Sequence, residues 1–160
     1  MTVQGEGSGP GAWPLALVLT GVGYLALVIA GLGIGSLNAD ADVIAVPGLG
    51  PLPGPLAVVG SGVAYALVAW HAVRLARPRF TAVIGVTIAS YLAYGIVGGV
   101  AALFATGSLG SATTVAIELL LRWPGLVVAA SAAIASWCAI ALVRTRATQP
   151  RWPWERDDEE

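Results

Sequence analysis

Charged residues divide the chain into long apolar stretches. Four intervals carry no Asp, Glu, Lys or Arg: residues 7–39, 43–73, 80–117 and 123–143, of 33, 31, 38 and 21 residues. Each can hold the roughly 20 apolar residues that cross the hydrocarbon core of a bilayer as a helix. After Gly, Pro and polar ends are removed, this pattern predicts four transmembrane helices, at about Trp13–Leu37, Leu56–Leu75, Phe80–Phe104 and Pro124–Arg144.

Composition agrees with the pattern. A soluble domain of 160 residues would carry roughly 40 charged side chains, whereas this chain has 8 basic and 9 acidic residues, with 57% hydrophobic residues. Mean hydropathy is +0.81, so too little polar surface exists to cover a globule in water. The predicted fold is an all-α membrane protein, a four-transmembrane-helix bundle at 13–146, with a flexible N-terminus at 1–12 and an acidic tail at 147–160.

The arginines predict the orientation of the bundle, because Lys and Arg near helix ends favour the cytoplasmic side. Seven of the eight arginines follow the second or the fourth predicted helix. We therefore expect both termini to be cytoplasmic. Residues 1–12 hold no Lys or Arg, so the first helix is not expected to be a cleaved signal peptide. The absence of Lys, with abundant Ala, Gly and Val, is typical of a high-GC bacterial genome, which predicts the bacterial inner membrane.

The segment before the fourth helix has a helical pattern of its own. Ser111 is a capping residue type, and Glu118 and Arg122 are four residues apart, the spacing of an ion pair on one helix face. Pro124 then suits the first turn of the next helix. We expect a short outer interfacial helix over Ser111–Trp123.

An ungapped internal match suggests a duplicated helical hairpin. Residues 13–79 align with 80–146 at 14 identical positions of 67. The match includes a T-x3-Y-L-A-x2-I-x-G pattern twice, beginning at Thr20 and at Thr87. Two parallel repeats related by an axis along the membrane normal would result, as in some transporters. Shared topology alone explains the aligned Trp and Arg residues but not the Thr-Tyr-Leu-Ala match.

The repeated polar residues form the candidate site. Thr20 and Tyr24 share one face of the first helix, and Thr87 and Tyr91 share one face of the third. A phenol in hydrocarbon needs a hydrogen-bond partner. Two interpretations remain open: interhelical hydrogen bonds that only hold the bundle together, or a small polar pathway or ligand site at the interface of the repeats.

Other residues predict anchoring and packing. Interface anchors are expected at the cytoplasmic ends, where belts of Trp and Arg occur: Trp70, His71, Arg77, Arg79, Trp137, Arg144 and Arg146. Small residues four apart let helices approach closely and occur at Gly31 and Gly35, at Gly60 and Ala64, and at Gly95 and Gly99. Trp152 and Trp154 in the tail suit either a solvated acidic end or contact with a membrane surface or partner protein.

The chain lacks the residues for most chemistry. His71 and Cys138 are its only histidine and cysteine, too few for a metal site or a disulfide. Asp40 and Asp42 fit an outer, turn-forming loop. No phosphate-binding loop or G-x-S-x-G occurs, and no ionisable residue lies mid-span, where proton relays need one. We expect no catalysis, no cofactor and no nucleic-acid partner.

Two hypotheses of function remain. The first is a non-catalytic accessory or scaffold subunit of a larger membrane complex, which binds the lipid bilayer and either a membrane-protein partner or another copy of itself. The second is a small uncoupled transporter, channel or lipid-handling component with a path at the repeat interface. Helix count alone selects neither.

Overall fold

The computed structural model describes residues 13–39, 44, 50–74 and 80–146. Five helices occur in this part of the chain: α1 Trp13–Ala39, α2 Pro53–Val73, α3 Ala82–Thr106, α4 Leu109–Leu121 and α5 Trp123–Arg146. Four of them, α1, α2, α3 and α5, are long and apolar enough to cross a membrane. The predicted all-helical bundle is confirmed, and the chain is a multi-pass membrane protein.

The observed helix ends differ from the predicted ones by a few residues. α2 begins at Pro53, three residues before the predicted Leu56, because proline suits the first turn of a helix, where no intrahelical N–H bond is needed. α3 ends at Thr106, before Gly107, whose φ of 66° is a left-handed value that glycine adopts without strain. The Gly107 N–H donates to the Leu103 carbonyl oxygen at 2.8 Å, which closes the last turn.

The short helix before the last span is present as α4. Its cap is Ser108 rather than the expected Ser111, and the Ser108 hydroxyl accepts a hydrogen bond from the Ser111 N–H. Arg122 and Glu118 form the predicted ion pair, with 3.5 Å between the Arg122 Nη1 and the Glu118 Oε1. Pro124 follows as the second residue of α5 and is buried.

The helices pack in a definite arrangement. α3 packs against α2, α4 and α5, and α1 packs against α2 and α5. α4 runs antiparallel to α3, because its early residues Ala112 and Ala116 lie against Gly99 while Leu120 lies against Gly95. Two ends of the bundle can thus be named: the arginine end, where α2 and α5 finish near Arg74 and Arg144, and the opposite α4 end.

Glycines make the close helix contacts, as the small-residue patterns predicted. A Cβ at Gly31 or Gly35 of α1 would overlap the side chains of Val127 and Trp123 of α5. A Cβ at Gly60 of α2 would overlap a valine of α3. These stripes are therefore filled by helices of the same chain, and they build the bundle.

Candidate functional site

Three fully buried tyrosines form the centre of the core. Tyr24 of α1, Tyr65 of α2 and Tyr94 of α3 are each 0% exposed. Apolar residues of all four long helices surround them, among them Val28, Ala69, Val86 and Val128. Because the surrounding bilayer supplies no hydrogen-bonding groups, each phenol depends on the protein for a partner.

Tyr24 joins α1 to α2 in two ways. Its hydroxyl donates a hydrogen bond to the Ser61 Oγ at 2.9 Å, and Ser61 in turn donates to the Val58 carbonyl oxygen of its own helix. The Tyr24 ring also stacks on the Tyr65 ring, with 4.6 Å between centroids and 4° between planes. These contacts join α1 to α2 inside the core.

Two of the three buried tyrosines have hydroxyls without a hydrogen bond. Neither the Tyr65 nor the Tyr94 hydroxyl meets the distance and angle criteria for a hydrogen bond to any described residue. The buried Thr87 Oγ1 has no hydrogen bond to a described residue either. The Tyr65 hydroxyl lies beside Thr20, whose hydroxyl donates to the Ala16 carbonyl oxygen at 2.7 Å and whose oxygen can still accept a hydrogen bond. Buried polar groups in folded proteins almost always have a partner, so the Tyr94 hydroxyl, which has none among the described residues, is the exception among the three tyrosines.

A groove of about 450 Å³ lies in front of the tyrosine pair, between α1 and α2. Two glycines line it, Gly21 of α1 and Gly62 of α2, and neither has a side chain that would fill the space. No atom lies within 4 Å of a Cβ built at Gly21, and only Leu25 approaches one built at Gly62. The groove volume lies within the range of small-molecule sites, about 300–1,000 Å³.

The rim of the groove faces outward from the bundle. It consists of valines that are more than half exposed: Val18, Val22, Val59 and Val63. Tyr24 lies eleven residues after the start of α1 and fifteen before its end, so the groove opens near the middle of the span. In a bilayer it faces acyl chains rather than water or headgroups.

The candidate residues from the sequence have different surroundings. Thr20 and Tyr24 belong to this cluster. Tyr91 is only half-buried, and its hydroxyl donates to the Leu120 carbonyl oxygen at the end of α4, at 2.7 Å. Tyr24's partner Ser61 corresponds in the repeat alignment to Val128, which cannot accept a hydrogen bond. The two tyrosines thus have unlike roles, and the duplication stays a prediction.

Sequence reasoning missed Tyr65 and Tyr94. In the repeat alignment they correspond to Ala132 and Leu27, so the internal match gave no reason to single them out. One signal was present: all four tyrosines of the chain lie inside charge-free stretches, where every phenol needs a partner.

Those expected anchors that the structure describes lie at the arginine end of the bundle. Trp70 and Trp137 are 42% and 56% exposed, and His71 is exposed too. The Arg74 guanidinium lies 5.7 Å from the Trp70 ring centroid, and that of Arg144 lies 4.7 Å from the Phe80 ring centroid. Outside the described residues lie Asp40, Asp42, Arg77, Arg79, Trp152 and Trp154, together with the side chain of Arg146.

The residues that the structure describes contain no group of three or more His, Cys, Asp or Glu side chains that could hold a metal ion. Cys138 is a free thiol of intermediate exposure.

One family model matches most of the chain. Residues 12–160 match the model of a family described as "Family of unknown function (DUF6121)". The chain belongs to this family. No curated protein and no solved structure matches the chain.

Proposed function

We propose that this protein is a non-catalytic membrane component that binds an apolar, membrane-dissolved molecule in the groove between α1 and α2. This is the lipid-handling hypothesis, with the site moved from the repeat interface to the α1–α2 face. The observation that carries it is the groove itself, about 450 Å³ in volume, floored by a buried tyrosine pair and rimmed by exposed valines.

The position and lining of the groove favour one class of ligand. The groove extends along α1 only from Leu17 to Leu25, and along α2 from Val59 to Ala66. No charged residue lines it. A hydrocarbon chain entering sideways from the bilayer would meet valine and leucine side chains at the rim and aromatic rings at the floor. Both surfaces favour an apolar ligand over a charged one.

Photolabelling tests the proposal. The protein is reconstituted in vesicles that contain a phospholipid with a diazirine near the end of one acyl chain, irradiated and digested. We expect label concentrated on the α1 and α2 peptides that line the groove. Gly21→Leu should remove most of this label, because its side chain enters the open groove. Label spread evenly over all lipid-facing peptides would contradict the proposal.

Gly33→Leu is the matched control. Gly33 lies on the same helix, no atom lies within 4 Å of its Cβ position, and it does not line the groove. It adds the same side chain to the same helix, so it should leave the label on the groove peptides unchanged. If both substitutions removed the label equally, the loss of label would reflect a general change in α1 and not a filled groove.

An accessory or scaffold role is the second proposal. Its support is the exposure of α1, where Leu15, Leu19 and Ile34 are 49%, 54% and 66% exposed. A helix so little covered by its own bundle offers a face to another membrane protein or to a second copy. Purification in mild detergent tests this role: a stoichiometric partner whose binding is lost on Leu19→Lys would support it, and a protein that purifies alone as a monomer would refute it.

A further inference from the structure

The arginine end of the bundle presents exposed positive charge. Arg74 follows the last residue of α2 and Arg144 lies in the last turn of α5, and both side chains are exposed. Among the residues that the structure describes the only acid is Glu118, which lies on α4 and pairs with Arg122. The one described carboxylate is thus at the opposite end of the bundle from Arg74 and Arg144.

The two exposed arginines flank one junction of helices. Val73 of α2, Val86 of α3 and Ile140 of α5 line the same small gap, so these three helices meet just inside the arginine end. Arg74 is the next residue after Val73, and Arg144 lies about one helical turn beyond Ile140. Both guanidiniums therefore belong to the same patch of surface.

An aromatic ring holds each guanidinium. That of Arg74 lies 5.7 Å from the Trp70 ring centroid, and that of Arg144 lies 4.7 Å from the Phe80 ring centroid. A guanidinium over a ring still presents N–H donors at its edge, and it has enough of them to bind a further acceptor besides its existing contacts. The rings thus fix two groups of donors at this end of the bundle.

The length of α5 places these donors at the level of lipid headgroups. Its membrane-spanning part, Trp123–Arg144, has 22 residues and is about 33 Å long at about 1.5 Å per residue. The hydrocarbon core of a bilayer is about 30 Å thick. The half-exposed Trp70 and Trp137 lie at the same end, as interfacial tryptophans do. Phospholipids supply phosphate groups at this depth.

We infer that the arginine end is a binding site for the headgroup of an anionic phospholipid, whose phosphate accepts hydrogen bonds from Arg74 and Arg144. The net charge of the lipid matters because a zwitterionic headgroup carries a cation beside its phosphate, and that cation would face two guanidiniums. This site is separate from the groove, which lies at mid-span between α1 and α2 and has no charged lining.

Competition between two lipids with the same acyl chains tests the headgroup preference. The protein in a non-ionic detergent is mixed with equal amounts of dioleoylphosphatidylglycerol and chain-deuterated dioleoylphosphatidylcholine, and native mass spectrometry counts the bound molecules of each. Because the chains are alike, binding in the groove favours neither lipid. We expect bound phosphatidylglycerol to exceed bound phosphatidylcholine about tenfold, the effect of one charge-assisted hydrogen bond. The excess should fall as salt is added.

Glutamine variants assign the preference to the arginine end. Arg74→Gln combined with Arg144→Gln should remove it, and Arg74→Gln alone should reduce it. Arg122→Gln is the matched control, since it makes the same change at an exposed arginine of the opposite end, and it should keep the preference. Phosphatidylcholine bound at the wild-type level shows that a variant retains a folded bundle.

Three results would overturn the inference. Equal binding of the two lipids by the wild type, or a preference that the double variant keeps, would contradict a headgroup site at the arginine end. An equal loss in Arg122→Gln would show that the total charge of the protein sets the preference. Release of the bound phosphatidylglycerol by excess sn-glycerol 3-phosphate would indicate a site for soluble phosphates instead of lipids. The groove is tested separately, by Gly21→Leu.

Discussion

The Tyr24 and Tyr65 rings lie face to face, 4.6 Å apart and within 4° of parallel, and they hold α1 and α2 together across the bundle core. Of these two hydroxyls, that of Tyr24 donates to Ser61, whereas that of Tyr65 lies beside Thr20 and meets no hydrogen-bond criterion among the described residues. Aromatic stacking contributes about 0.5–1.5 kcal/mol beyond the burial of the rings. The pair therefore joins two helices, and both of its residues also line the groove between them.

Removing the Tyr24 hydroxyl should cost more than removing that of Tyr65. Tyr24→Phe loses the bond to Ser61, so we expect the free energy of unfolding to fall by about 1 kcal/mol. Tyr65→Phe removes a hydroxyl with no hydrogen bond in the described structure, so we expect no loss. Thermal unfolding in one detergent measures both. Equal losses would show that the Tyr65 hydroxyl makes a hydrogen bond as strong as that of Tyr24.

Two glycines on α1 should respond oppositely to the same substitution. A Cβ at Gly31 would lie 2.5 Å from the Val127 Cγ1 of α5, whereas one at Gly33 meets nothing within 4 Å. Gly31→Leu should therefore lower the free energy of unfolding by about 1–3 kcal/mol through overpacking. Gly33→Leu should be neutral or slightly stabilising, because leucine is the better helix former. Similar unfolding midpoints for the two variants would show that α1 does not pack on α5 at Gly31.

The helices were predictable from the sequence because charge placement alone locates spans in a bilayer. The interval 80–117 correctly contains α3, and the i, i+4 spacing of Glu118 and Arg122 correctly indicated α4. The start of α2 at Pro53 does not follow from the pattern, because a proline can end a helix or occupy its first turn.

The groove was not predictable from the sequence. A span that faces lipid on one side and protein on the other is apolar on both, so the pattern of Val, Leu and Ala does not show which face turns inward. The stacking of Tyr24 on Tyr65 depends on the rotation of α1 and α2 about their axes. The internal match directed attention to Tyr91, whose hydroxyl binds α4 instead.

The Tyr91 hydroxyl should hold the end of α4. It donates to the Leu120 carbonyl oxygen at 2.7 Å, which has no helical N–H to accept from because the residue four positions later is Pro124. Tyr91→Phe should lower the stability of α4 by about 1 kcal/mol, measured as faster amide hydrogen exchange over residues 109–121. Tyr24→Phe should leave exchange in α4 unchanged, and faster exchange in both variants would mean that the effect on α4 is not local.

The arginine end should be cytoplasmic. In a Cys138→Ser background, we expect a cysteine at His71, exposed at the arginine end, to react with a membrane-impermeant maleimide only after cells are permeabilised. A cysteine at Thr113, exposed on α4, should react in intact cells. The reverse pattern would invert the orientation that the arginines predict and leave the groove unaffected.

Counting the apolar molecules that stay bound tests the central claim most directly. Native mass spectrometry of protein released from nanodiscs is expected to show one retained apolar molecule per wild-type chain. Gly21→Leu should lose it, and Gly33→Leu should keep it, since only Gly21 lines the groove. Retention by Gly21→Leu at the wild-type level would contradict the account.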